Sequence, residues 1–191
     1  MNLGKTLYVK NRRAWRAWLR KNHATARDIW LVYPRKATGK KRIPYNDAVE
    51  EALCFGWIDS NLKGIDEERF AQRFTPRRKG ANLSAMNWER VERLVRGKKM
   101  TKAGLVVLGK LGSLKVEVPP AVKRALSKTH GAKAEFERLP DSYKRIRIGY
   151  IEAGRNHGRA EYAKRVRHFV AMTANGKKFG TWKGDEASKK K

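Results

Sequence analysis

The chain has 191 residues, 40% hydrophobic and 34% charged, enough apolar chain for a packed core beneath a densely charged surface. Lys and Arg number 46 against 18 Asp and Glu, a net charge of +28; this points to nucleic acid, an anionic membrane surface or an acidic partner, although a solubilising basic surface gives the same count. One cysteine excludes an internal disulfide, and no segment approaches the roughly 20 apolar residues of a membrane span.

The opening stretch, MNLGKTLYVKNRRAWRAWL, has no apolar run long enough for a signal peptide, so a cytoplasmic location is expected. A short helix is predicted over Arg12–Lys21, with Trp15, Trp18 and Leu19 on one face. Core packing of that face is favoured over a membrane-surface role, because a strand follows at once. That strand is Asp28–Lys36, and Pro34 assigns it to an edge or an early end. Tyr45–Phe55 reads as a helix capped by Asn46, with Val49, Ala52 and Leu53 inward and Cys54 as a buried structural thiol.

Gly56 suits the left-handed position after that helix. Trp57–Ile65 and Arg69–Thr75 form a hairpin, joined by Asp66, Glu67 and Glu68. The loop Pro76–Asn82 is basic. Ser84 caps a helix over Ala85–Arg96 with Trp88, Val91 and Val95 along one face, and Thr101 starts another reaching Leu108.

Gly109–Pro120 breaks the pattern and reads as a linker. Helices follow at Ala121–Ser127 and Ala132–Arg138. A third, capped by Asp141, has Tyr143, Ile146, Tyr150 and Ile151 inward. The last, Gly158–Ala174, has Tyr162, Val166, Phe169 and Val170 inward and Arg159, Lys164, Arg165 and Arg167 outward. The tail GDEASKKK is expected to be disordered. The expected fold is α+β: a small antiparallel sheet packed with helices over residues 1–110, a helical C-terminal unit over 118–180, and a basic tail over 181–191.

The hairpin places chemistry. With Ile65 opposite Arg69, Asp59 faces Thr75 and Asn61 faces Arg73, so all four share one face and Phe70 and Phe74 turn to the core. Asp59 then lies beside Arg73, with Arg77, Arg78 and Lys79 just beyond on a loop stiffened by Pro76. Arginine forks grip carboxylate or phosphate bidentately, so this surface is a candidate anion site; a salt-bridged sheet face gives the same pattern.

Other motifs carry less. Gly104 to Lys110 fits the start of a phosphate-binding loop, but Leu111 stands where Ser or Thr is needed, and an ordinary helix end explains it. His23, His130, His157 and His168 have neither an i+4 partner nor a nearby Cys, so no metal and no cofactor are expected. No Gly-x-Ser-x-Gly elbow is present and Cys54 has no local base, so no catalytic residue is assigned. The outer face of the last helix, with Lys177 and Lys178, is the best nucleic-acid candidate, or else a solvated charged face.

The segments EEALCFGWIDS, IDEERFAQRFTPRR, ERVERL and MTKAGL resemble the YdeI/OmpD-associated family, which carries a bacteriocin-protection label. The resemblance spans about Trp15 to Phe179. The family motif matches Trp57, Asp59, Arg69, Phe74, Pro76, Arg77 and Arg78; Lys36 and Tyr45 also match family positions and are expected to line the same pocket. The chain departs at Leu83, where the family often has Trp. The resemblance implies a bacteriocin-protection or antimicrobial-stress protein; the arginine-rich surface adds the expectation that it binds an anionic small molecule or acidic partner through Asp59, Arg73, Arg77, Arg78, Lys36 and Tyr45. Two alternatives stand: non-specific nucleic-acid binding through Arg159, Lys164, Arg165 and Arg167, and an enzyme with Asp59 in its site. A lone carboxylate beside arginines stays ionised and makes a poor general acid, so binding is expected rather than catalysis.

Overall fold

The computed structural model describes residues 3–109 and 115–180. The tail 181–191 and residues 110–114, within the expected linker, lie outside the described residues. The chain forms two compact units. Among the described residues, 3–82 and 90–109 belong to the first, and 83–89 and 115–180 to the second.

The first unit is built on four strands: β1 (Thr6–Leu7), β2 (Ile29–Pro34), β3 (Trp57–Gly64) and β4 (Arg69–Pro76), in the order β1-β2-β4-β3. The expected antiparallel sheet of three strands gains a fourth, β1, which pairs in parallel with β2. Two residues are too short to show any periodicity. β2 is therefore interior, not an edge strand, and of the two readings of Pro34 the early end holds, because the strand stops there rather than at Lys36. Pro34 is tolerated because the next residue, Arg35, donates its N–H to the Glu68 carbonyl in the turn just before β4. The position before it thus faces the side on which β1 has already ended.

Two helices, α1 (Arg12–Asn22) and α2 (Tyr45–Cys54), pack on the sheet face that carries Ile29, Leu31, Tyr33, Gln72 and Phe74. Trp15 is fully buried, tilts against Phe74 at 5.4 Å and donates its Nε1 proton to the Ala48 carbonyl at 3.0 Å. Trp18 meets Trp57 edge-on, and Trp57 Nε1 donates to the His23 carbonyl. These large rings bury apolar area while the indole N–H groups of Trp15 and Trp57 keep partners, the condition under which tryptophan stabilises a core. Asn46 does not cap α2. Pro44 precedes the helix, and the Asn46 oxygen instead accepts from Arg90.

Two further helices complete this unit's chain: the later part of α3 (Ala85–Arg96) and α4 (Lys102–Leu108). On α3 the buried residues are Val91 and Leu94, while Val95 is 39% exposed; the stripe turns one residue short of the expected one. Thr101 caps α4 by accepting from Gly104 N–H.

The second unit is helical: α5 (Pro120–Lys128), α6 (Ala132–Arg138), α7 (Asp141–Ala153) and α8 (Arg159–Ala174). Its core joins Val122, Leu126, Tyr143, Ile151, Phe169 and Val170. Tyr150 is 44% exposed, not inward, and lies under the Arg165 guanidinium at 4.2 Å. With eight α-helices and a four-stranded mixed sheet among the described residues, the fold is α+β.

Candidate functional site

The register of the hairpin decides which residues meet. Near the turn it is the expected one, with Lys63 opposite Ala71 and Leu62 opposite Gln72. A bulge then intervenes, and Asp59 stands opposite Phe74 rather than Thr75. The cause lies at Gln72, which is buried and donates its amide protons to the carbonyls of Ser60 and Asn61 at 3.0 and 3.2 Å. A buried amide anchoring two carbonyls stabilises the extra residue that a bulge requires.

The one-residue shift moves Asp59 to the helix-covered face. There its Oδ2 accepts the Tyr45 hydroxyl proton at 2.6 Å, a bond between β3 and the first residue of α2. The Tyr45 phenol is pushed up by burial, then by the bond to Asp59 and its charge. Arg90 stands close enough for Tyr45 and Asp59 to act on it, and burial holds it below the ordinary arginine range. The Tyr33 hydroxyl is buried and has no hydrogen-bond partner among the described residues, and burial also pushes that phenol up. Arg42 covers the rings of Tyr33 and Phe70 at 5.8 and 5.5 Å and donates to the Pro34 carbonyl. Asp59 thus ties the hairpin to α2 as a hydrogen-bond acceptor.

The expected neighbours of Asp59 are elsewhere. Arg73 projects from the opposite face and pairs with Asp28 through Nε and Nη2 at 2.9 and 2.5 Å, so Asp59, Asn61, Arg73 and Thr75 do not share a face. Arg77 is drawn into its own loop. Its Nη2 donates to the carbonyls of Ala81 and Asn82, both at 2.6 Å, and its buried Nε has no partner among the described residues. Burial lowers its pKa from the ordinary arginine value. Arg78 and Lys79 are exposed on that loop. Lys36 is exposed on a 3₁₀ turn, Lys36–Thr38, and makes no side-chain bond to Asp59 or Tyr45.

On α8, Arg159, Lys164 and Arg167 are exposed, but Arg165 is not part of that outer face. Its side chain is 14% exposed, pairs with Glu161 at 2.8 Å and donates to the Tyr150 carbonyl at 2.7 Å. Among the described residues no group of His, Cys, Asp and Glu is arranged to hold a metal ion, and no helix is long and apolar enough to cross a membrane.

Sequence reasoning missed Arg90, Asn46 and Tyr33 as neighbours of the Tyr45–Asp59 pair. No local signal marks them, since Arg90 arrives from α3, 31 positions after Asp59 in the numbering. No curated protein and no solved structure matches the chain. The resemblance to the YdeI/OmpD-associated family is borne out over residues 115–176, which match the family described as "Bacteriocin-protection, YdeI or OmpD-Associated". The four segments that carried the resemblance all lie in another match, over residues 7–107. That match takes in more than half of the chain, and the chain belongs by it to the family described as a domain of unknown function (DUF8412), with an OmdA region following.

Proposed function

We propose that this is a cytoplasmic binding protein, not an enzyme, that recognises an anionic ligand or acidic partner at the loop after the hairpin. By this reading it serves the bacteriocin-protection role for which the OmdA family is described. The supporting observation is the way Arg77 closes that loop. Its guanidinium holds the Ala81 and Asn82 carbonyls, and its own N–H donates to Gly56 at 2.9 Å. Arg78 and Lys79 thereby stand on a tied support, so less conformational entropy is lost when they meet an anion. Asp59 and Tyr45 contribute by holding β3 against α2.

The probe is a labelled oligoglutamate peptide followed by fluorescence anisotropy. Replacing Arg78 and Lys79 together with alanine should lower its affinity about tenfold, the effect of losing roughly 1.4 kcal/mol. Replacing Arg159, Lys164 and Arg167 should change it little. The reverse result favours the second reading, a nucleic-acid surface on α8, whose supporting observation is the exposure of those three cations. Non-specific binding there would show a steep salt dependence on duplex DNA.

A further inference from the structure

A cleft of about 730 Å³ runs along α1 in the first unit, lined by Arg12, Arg13, Arg16, Arg20, Lys99 and Glu51 among others. Five of these six are cations, yet they do not all play the same part. Glu51 is 3% exposed and both of its oxygens are taken, Oε1 by Arg12 Nε at 2.5 Å and Oε2 by Arg16 Nη1 at 2.6 Å. Glu50 accepts from Arg12 Nη2 at 2.6 Å and pairs with Arg93. Asp47 takes the remaining side of Arg12. Both oxygens of Glu50 and of Glu51 are therefore engaged by arginines, and Asp47 has one oxygen paired.

The rim is different. Arg13, Arg20 and Lys99 are exposed, and among the described residues their side chains make no hydrogen bond or ion pair. Lys99 is nevertheless held in place. Its carbonyl accepts from Arg16 Nη2 at 3.0 Å and its N–H donates to Leu94 at 2.9 Å. Arg16 is itself fixed between Glu51 and the ring of Phe55. The support is thus ordered, while the three positive charges above it have no counter-charge.

We propose that this cleft binds linked phosphates, a chain of phosphate groups carried either by a free oligophosphate or by a nucleic-acid strand. Arg13 and Arg20 are seven residues apart on one helix, about 10.5 Å along its axis at 1.5 Å per residue. One phosphate or carboxylate reaches only one end of that span, whereas linked phosphates reach both. Guanidinium forks suit phosphate oxygens, and the charged lining gives little to an apolar ligand. No existing ion pair has to break for the rim cations to engage.

The test uses the full chain with sodium tripolyphosphate in isothermal titration, with orthophosphate and an oligothymidylate alongside. Arg13→Gln with Arg20→Gln changes exposed, unpaired side chains, so the melting temperature should stay the same. Tripolyphosphate affinity should fall roughly tenfold or more. For the oligothymidylate, the log–log salt slope should become shallower by about 1.4, two phosphate contacts at about 0.7 each. Whichever of the two ligands binds tighter at physiological salt identifies the source of the phosphates. Orthophosphate binding as tightly as tripolyphosphate, an unaffected double variant, or displacement by oligoglutamate of equal charge would each overturn the proposal. The Arg78→Ala, Lys79→Ala protein should keep tripolyphosphate binding. Loss confined to that protein would place the phosphates at the hairpin loop instead, so this site and the acidic-partner site fail separately.

Discussion

Gly104 offers a test in which two opposing effects can be weighed. It lies on α4, whose start is fastened to the end of α2. Thr101 donates to the Cys54 carbonyl through its backbone N–H at 3.0 Å and its hydroxyl at 2.7 Å. In isolation, replacing a helical glycine with alanine stabilises by about 0.8–1 kcal/mol. Here the added Cβ would overlap the Cys54 carbonyl oxygen and stand 2.8 Å from its carbon and 3.0 Å from the Leu53 oxygen. All three are backbone atoms of a buried helix and cannot swing aside. Reaching ordinary contact at about 3.5 Å requires α4 to withdraw by roughly 1 Å. That movement stretches both Thr101 bonds, each contributing about 1 kcal/mol, and overpacking adds about 1–3 kcal/mol. The clash outweighs the helix gain, and Gly104→Ala should destabilise the first unit by about 2–4 kcal/mol. The assay is urea unfolding followed by tryptophan emission, with the change read from the midpoint at constant m. Gly64→Ala is the control, because its Cβ meets nothing within 4 Å and its φ is not positive; it should shift stability by about 0.5 kcal/mol at most. A Gly104→Ala protein as stable as the parent would refute the close approach of α4 to α2.

Cys54 is fully buried, and burial, then the charge of Glu51, raise its thiol pKa against the opposing effect of Arg16. A thiol reagent at neutral pH should therefore modify it only as fast as the unit opens, and prompt labelling of native protein would show that the thiol is accessible. The Tyr45 phenol is raised in the folded state, so its bond to Asp59 contributes fully below the unfolded phenol pKa of about 10 and is lost as pH rises through the higher folded value. Tyr45→Phe should cost about 1 kcal/mol at neutral pH and remove one late-titrating phenol from the 295 nm absorbance curve; an unchanged curve would mean that Tyr45 does not sense Asp59.

What the sequence discloses depends on whether the determinants are local. The bounds of α3 and α6 are the expected ones, because caps, glycines and apolar spacing lie within a turn of each end. The hairpin was legible for the same reason, down to the Ile65–Arg69 bond beside its turn. The bulge was not, since it depends on the Gln72 amide reaching across to the other strand. That one hidden contact moved Asp59 from the face of Arg73 to Tyr45, a residue already expected in the same pocket. Arg77 shows a second limit. Its partners are only four and five residues away, but an arginine that binds its own loop and one that faces a ligand have the same sequence signature.

The charge count misled in a related way. A surplus of +28 describes the chain, whereas a ligand meets individual cations. Many of the arginines are already committed: Arg12, Arg16 and Arg93 to the carboxylates of α2, Arg73 to Asp28, Arg145 to Glu89 and Arg165 to Glu161. Glu51 is nearly inaccessible, and freeing an arginine from it would leave a buried carboxylate without full compensation, a change that costs several kcal/mol. Such cations fasten elements to one another and are poorly placed to serve a second anion. The carboxylates are scarce, and the structure places several of them under or between elements, so the uncommitted cations collect at the rims. Recognition then falls to small sets such as Arg13, Arg20 and Lys99, or Arg78 and Lys79, where a bound anion adds a favourable contact without removing one.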